Sequence, residues 1–296
     1  MTAMVSQERQ AELHAALTNA CSAVGLDSSG AELLAYSSNV VYRLSADPVV
    51  VRLNLDLDGV AQTTELIRTS RWLESERAPI APLAKIASQP VIGDGWAATF
   101  WFALNAPAEA PASALAEPLS AFHSLPPNSD LPEWGKFESA RADLDQATDL
   151  DADDRAWLIA AWQQAETDYR RAVGDMPRGV VHGDAHKGNL LTDAAGHFVL
   201  CDLDSVAFGP IDWDLTPMAV SAARFARPGD QVAFAAAYGR DVTTLPWWPV
   251  LRRIRELVMV TYLVADLRNR PTMADQWTHR MHTLRTNQTE ALWQRL

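Results

Sequence analysis

The chain has 296 residues, enough to bury a sizeable core without disulfides or structural metals. Hydrophobic residues make up 48% and charged residues 21%, a soluble globular composition rather than a disordered one. A formal net charge of −12 argues against a binder of the nucleic-acid backbone, which presents clustered Lys and Arg. It leaves room for a cationic small molecule or for a metal–nucleotide complex held by carboxylates. Cys21 and Cys201 cannot make a disulfide framework and lack metal-ligand spacing. Residues 1–17 carry Glu8, Glu12 and His14 where a signal peptide needs an apolar run, and the apolar stretch 257–265 is half of a membrane span. The expectation is a cytoplasmic protein whose partner is a small molecule, with neither nucleic acid nor membrane involved.

In chain order, Leu13, Ala16, Leu17 and Cys21 predict a helix over 7–24. The period then changes. Runs at 32–37, 40–44 and 49–53 are β-rich and separated by Ser37-Ser38-Asn39 and Ala46-Asp47-Pro48, which reads as an antiparallel meander. Helical spacing returns over 59–76, and 83–87 and 96–104 read as two further strands. The Ala/Pro-rich stretch 105–117 is a linker. Beyond it, helices are expected over 118–125, 155–173, 216–224, 231–238, 246–268 and 272–293, interrupted by a strand–loop–strand segment at 179–205. The expected fold is α+β and bilobal. A small N-terminal antiparallel sheet with one main helix occupies 1–104, and a larger, mostly helical lobe occupies 105–296.

The chemistry concentrates in residues 180–215. His182-Gly183-Asp184-x4-Asn189 has the spacing of a kinase catalytic loop, in which an Asp is followed five residues later by an Asn. The Asp must reach an acceptor hydroxyl and the Asn oxygen a metal on the phosphate side, and one tight loop can aim both. Leu190-Leu191 and 198–201 read as two short strands joined by a turn at Ala194-Ala195-Gly196. They would return the chain so that Asp202 serves as the second metal ligand.

This segment resembles the aminoglycoside phosphotransferases of the phosphotransferase enzyme family. The likeness rests on the His-Gly-Asp-x4-Asn loop, the strand ending in Asp202, and Gly209-Pro210-Ile211-Asp212-Trp213-Asp214-Leu215. Weaker likeness extends to Ser38-Asn39-Val40-Val41-Tyr42-Arg43, to the strand at 49–53 and to Leu119–Leu125, so that roughly residues 30–220 match in order. The resemblance implies a protein-kinase-like fold and transfer of a γ-phosphoryl group from ATP or GTP, with Mg²⁺, to a hydroxyl of a small molecule. An aminoglycoside, macrolide, sugar or amino alcohol would each serve as acceptor. Asp184 is then the catalytic base, Asn189 and Asp202 the metal ligands, and Ser37, Ser38 and Asn39 the nucleotide loop. Adenine is expected against backbone amides of residues 100–105, with Phe102 among them.

Two departures from the protein-kinase pattern stand out. No Gly-x-Gly-x-x-Gly is present, and the only lysines are Lys85, Lys136 and Lys187, so Arg52 fills the strand position that pairs with phosphate. A permanently charged guanidinium can pair bidentately with phosphate. Glu65 is the expected carboxylate partner of Arg52, with Glu74 as competitor. His182 is expected to brace the loop, and His186 and Lys187 to face the acceptor or the phosphates. Asp204 would sense the metal through water or cap a turn. Asp214 would cap a helix starting near Leu215 and brace the catalytic loop. Cys201 reads as a core residue. For a cationic acceptor Glu256, Asp266 and Asp275 are available, although Glu256 lies among Arg252, Arg253 and Arg255, where an internal ion pair is the simpler use. The same residues permit two other readings. His182, Asp184 and His186 form H-x-D-x-H, which on an extended strand would place three side chains on one face as in a metal-dependent hydrolase. The missing glycine loop and lysine would suit a nucleotide-binding pseudokinase scaffold.

Overall fold

The computed structural model describes residues 7–36, 39–55, 59–147, 150–267 and 273–295. The chain opens with helix α1 (Gln7–Ala23), followed by strands β1 (Glu32–Tyr36), β2 (Asn39–Arg43) and β3 (Val49–Asn54). Helix α2 (Gly59–Ser75) and strands β4 (Val91–Gly93) and β5 (Trp96–Phe102) complete this part. The five strands form one antiparallel sheet in the order β1-β2-β3-β5-β4. Alternation decides which side chains of β3 are available for chemistry. Val49, Val51 and Leu53 are buried with Leu13, Leu17 and Cys21 of α1 and with Phe100, so the period of two turns Arg52 to the opposite face.

The expected strand at 83–87 is not regular. Only Leu83 bridges to Trp101, although the Ala84 and Phe102 amides donate to the Phe100 and Pro82 carbonyls. Pro82 has no N–H to extend a ladder, and the edge strand is β4 instead.

Next come helices α3 (Ala116–His123), α4 (Phe137–Gln146) and α5 (Ala152–Ala172), then strands β6 (Arg178–Val181), β7 (Leu190–Thr192), β8 (Phe198–Leu200) and β9 (Ala207–Pro210). The chain continues through α6 (Asp212–Arg224), α7 (Pro228–Tyr238), α8 (Trp248–Leu267) and α9 (Ala274–Arg285). Helix α4 is additional to the sequence expectation. It has no side-chain cap, yet Phe137, Ala140 and Leu144 give it a buried stripe at helical spacing. The last helix is shorter than expected. Asn287 takes a left-handed backbone with φ 52°, and the Gln288 amide donates to the Thr283 carbonyl at 2.9 Å, closing α9 well before Trp293. Strand β6 pairs with β9, and β7 with β8, both antiparallel.

The chain forms two compact units, one comprising residues up to Ala108 with Asn189–Asp204, the other Glu109–Gly188 with Ser205–Leu296. A single cut after residue 104 therefore differs from the structure: the β7–β8 hairpin belongs with the sheet-bearing unit. The Leu200 amide donates to the Pro79 carbonyl and the Ala81 amide to the Leu200 carbonyl, both at 2.8 Å, and Thr192 exchanges hydrogen bonds with Asn105. Among the described residues no helix is long and apolar enough to cross a membrane.

The second unit is organised around a buried charge cluster. Glu256, on α8, accepts from Arg224 Nε at 2.8 Å and Arg252 Nε at 2.9 Å, which is the internal use expected for it. Arg224 also donates to the Gln288 and Ala291 carbonyls and lies over the Trp293 ring. Removing one member of a buried pair leaves an uncompensated charge. Glu256→Ala should therefore destabilise this unit by about 3–5 kcal/mol, read as a lowered urea midpoint.

Candidate active site

In the second unit, β6 delivers the chain into residues 182–188. The turn begins at Gly183, whose φ of 83° favours glycine and where a Cβ would drive into the Ser205 carbonyl. Two backbone amides exposed by this turn are taken by one side chain. Asp214 Oδ2 accepts from His182 N–H at 2.6 Å and Oδ1 from Gly183 N–H at 2.8 Å, while Trp213 Nε1 donates to the Gly183 carbonyl at 2.7 Å. Asp214 makes these contacts from inside the first turn of α6, which starts at Asp212, and not as an N-cap.

The brace has an outer layer that the sequence did not single out chemically. His123 Nε2 lies 3.0 Å from Asp214 Oδ2, and its Nδ1 lies 2.6 Å from the Tyr238 hydroxyl. Burial, with Asp212 and Asp214 nearby, pushes the Tyr238 hydroxyl up to about 12. The phenol therefore keeps its proton at neutral pH, and the His123 ring bridges it to the Asp214 carboxylate.

Within the loop, His182 is fully buried, meets Phe122 edge-on and accepts the Asp184 amide on Nδ1 at 3.3 Å. That contact ties the ring to the backbone of the loop. The half-buried Asp184 carboxylate accepts from Arg255 Nη1 of α8 at 2.7 Å, and His186 Nε2 stands 3.7 Å away. Burial alone would raise the Asp184 carboxyl. Arg255, His186 and Lys136 outweigh it and hold the group below its ordinary value. Burial pushes the His186 imidazole below its ordinary value, against the pull of Asp184. Its Nδ1 accepts from the Gly188 amide at 3.0 Å. Lys187 reaches Asp230 of α7, with Nζ–Oδ2 3.1 Å. Sequence reading missed Arg255 and Lys136. Arg255 is 71 positions from Asp184, and nothing in local spacing links them.

In the first unit, Asn189 is buried and its carbonyl accepts the Cys201 amide at 2.9 Å, which ties it to the residue preceding Asp202. Cys201 is held inert as a nucleophile, its thiol pushed up to about 12 by burial and by Asp202. Asp202 takes a left-handed backbone with φ 62°, and Arg52 Nη2 lies 3.9 Å from its Oδ1. Arg52 pairs directly with Asp204. The carboxylates serving Arg52 are therefore Asp204 and Asp202. Glu65 pairs with Arg68 on its own helix, and Glu74 accepts the Leu83 amide. Asn39 opens β2 opposite Asn54. Ser37 and Ser38 lie outside the described residues. Phe102 is exposed, and its amide, with that of Ala103, is already used on the Pro82 and Pro48 carbonyls.

The H-x-D-x-H residues lie on a turning loop, not an extended strand, and among the described residues no three His, Cys, Asp or Glu side chains gather as a metal site. The Phosphotransferase enzyme family model matches residues 30–257. The chain belongs to this family. No curated protein matches it. Solved structures similar to this phosphotransferase include an amicoumacin kinase in complex with AMP-PNP, Ca²⁺ and Ami, at 13% identity and TM-score 0.69 over 98% of this chain and 96% of that one. An aminoglycoside phosphotransferase, APH(3'')-Id, from Streptomyces rimosus is 20% identical with TM-score 0.62, covering 83% of this chain and 98% of that one. A choline/ethanolamine kinase family protein from Mesorhizobium loti is 15% identical with TM-score 0.60, covering 94% of each. These likenesses establish the protein-kinase-like α+β fold, and family membership makes the protein a small-molecule kinase.

Gly183→Ala should cost about 2–4 kcal/mol, the sum of a left-handed alanine and a forced shift of backbone at Ser205. A lowered denaturation midpoint with a parallel loss of turnover is the expected result.

Proposed function

We propose that this kinase moves the γ-phosphoryl group of ATP or GTP to a hydroxyl of a small molecule, with Asp184 as the base. The observation that carries the proposal is the state of Asp184. Its carboxylate is half-buried, held ionised by Arg255 and Lys136, and set on a loop whose amides are pinned by Asp214. As the acceptor oxygen bonds to phosphorus and the bond to the leaving nucleoside diphosphate breaks, Asp184 takes the hydroxyl proton. Little covalent work falls to the protein, and positioning and charge carry the rate.

Asn189 and Asp202 are the proposed Mg²⁺ ligands. An amide and a carboxylate oxygen form a hard donor set that suits this ion. Bound Mg²⁺ would neutralise charge on the nucleotide phosphates. Arg52 is the proposed phosphate contact. Its guanidinium faces away from the core of the sheet and is held by Asp204, so it is oriented before any nucleotide arrives. The proposal also keeps Ser37, Ser38 and Asn39 as the nucleotide loop. The engaged Phe102 and Ala103 amides move the expected adenine contact to Leu104, the next amide along.

The test is calorimetric binding of ATP and GTP with Mg²⁺, followed by turnover. Asp184→Asn should bind nucleotide within about 3-fold of wild type and lose turnover by about 10²–10⁴-fold, the scale of general-base catalysis. Asp202→Ala should abolish Mg²⁺-dependent binding. Near-normal turnover by Asp184→Asn would overturn the assignment. Nucleotide binding by a wild type that turns over no acceptor would favour the scaffold reading.

The position of Asp184 on the pH scale gives a second check. Its carboxyl titrates below the ordinary value, so the ionised form and the stability of its ion pair are present above about pH 4 and are lost as pH falls below it. The acidic limb of turnover attributable to this group should lie below about pH 4, and Arg255→Gln should move it upward.

A further inference from the structure

Resting on Asp184 as base, the loop that carries it must be held in place as well as in shape. Local contacts give the shape: the Asp184 amide donates to His182 Nδ1 at 3.3 Å, and the Gly188 amide to His186 Nδ1 at 3.0 Å. Arg255 of α8 holds the carboxylate itself. Helix α7 reaches the loop on both sides of it. In the first turn of the helix, Asp230 Oδ2 accepts from Lys187 Nζ at 3.1 Å. At its end, the Tyr238 hydroxyl lies 2.6 Å from His123 Nδ1, and His123 Nε2 lies 3.0 Å from the Asp214 oxygen that accepts the His182 amide. Gly239 then turns the chain with φ 84°, and Arg240 spans both oxygens of the buried Asp212 at 2.6 and 3.0 Å. Among the described residues of α7, Phe234 alone is fully buried. Apolar burial has no direction, whereas hydrogen bonds and ion pairs fix distance and angle. The register of α7 against the loop is therefore set by these polar ties.

We propose that α7 is the positioning helix of the reaction loop, with Tyr238 and Asp230 as positioning residues for Asp184. Tyr238 acts through His123 and Asp214 on the amides of His182 and Gly183, and Asp230 acts through Lys187. Asp184 lies between these two anchors in the chain. Loss of either anchor lets the loop shift while its internal contacts persist. The base then meets the acceptor hydroxyl out of line, and such misplacement is felt in kcat rather than in nucleotide binding.

The experiment uses the full chain as wild type, as Tyr238→Phe, Asp230→Asn, His123→Leu and Lys187→Met, and as the double variants Tyr238→Phe/His123→Leu and Asp230→Asn/Lys187→Met. Calorimetry with Mg²⁺ and ATP or GTP comes first. Its failure with wild type would sink the kinase reading itself, and retained binding in the variants shows that they are folded. Nucleoside diphosphate release is then followed with glucose, glucosamine or ethanolamine offered, and with water as the only acceptor. Tyr238→Phe, which removes one oxygen, should lower kcat about 5- to 50-fold with the nucleotide KM within about 3-fold of wild type. Asp230→Asn should lower kcat about 3- to 10-fold. Hydrogen exchange at the His182 and Gly183 amides should quicken about 10-fold in Tyr238→Phe, while amides of α5 keep their wild-type rates. Each kcat effect should shrink to within about 2-fold once the intermediary is gone, Tyr238→Phe in the His123→Leu background and Asp230→Asn in the Lys187→Met background. Wild-type exchange at residues 182–183 in Tyr238→Phe overturns the proposal. So does a kcat within about 2-fold of wild type, a loss that persists without His123, or exchange that quickens equally in α5, which is the mark of a merely structural role.

Discussion

A carboxylate with no exposed surface is tenable only if its oxygens are filled, and Asp214 is such a group. Its partners are the amides of His182 and Gly183 and the Nε2 of His123. The dependence is mutual. The loop amides need an acceptor because the turn at Gly183 removes them from any strand ladder, and Asp214 needs donors because α6 carries it into the interior. The conformation that presents Asp184 follows from satisfying both. Tyr238 and His123 extend the same chain of buried contacts outward.

Arginine makes most of the ion pairs described above, which fits a chain with three lysines. Arg52 serves Asp204 and approaches Asp202 in the first unit, Arg224 and Arg252 share Glu256 in the second, and Arg255 holds Asp184. A planar guanidinium can serve two oxygens from one fixed position, whereas an ammonium on a flexible stem must be placed by something else. The pairing of Arg52 with Asp204 is thus part of a wider use of guanidinium groups in this molecule.

Much of the fold was legible from local pattern. The meander β1–β3 showed in its β-rich runs and turn residues, and most of the helices showed in their apolar spacing. The β7–β8 hairpin showed in the turn at 194–196. The failures have particular causes. The segment at 83–87 has strand-like composition, but Pro82 blocks its ladder. Helix α4 lacks a capping residue, so only its buried stripe marked it. Glu65 looked suited to Arg52, yet a helix neighbour, Arg68, claims it. Pairing of β6 with β9 spans the whole catalytic segment, and no local signal reports it.

The order of His182, Asp184, Asn189, Asp202 and Asp214 along the chain was enough to determine the family and the class of chemistry. Short-range geometry in one loop and one hairpin constrains those residue types and spacings. The tertiary structure decided the electrostatics: which cation meets Asp184, which carboxylate meets Arg52, and that Glu256 is sealed from any ligand. Such pairings join residues tens of positions apart. They are chosen by how helices and strands pack and by the need to satisfy every buried charge, and neither constraint leaves a trace in local sequence.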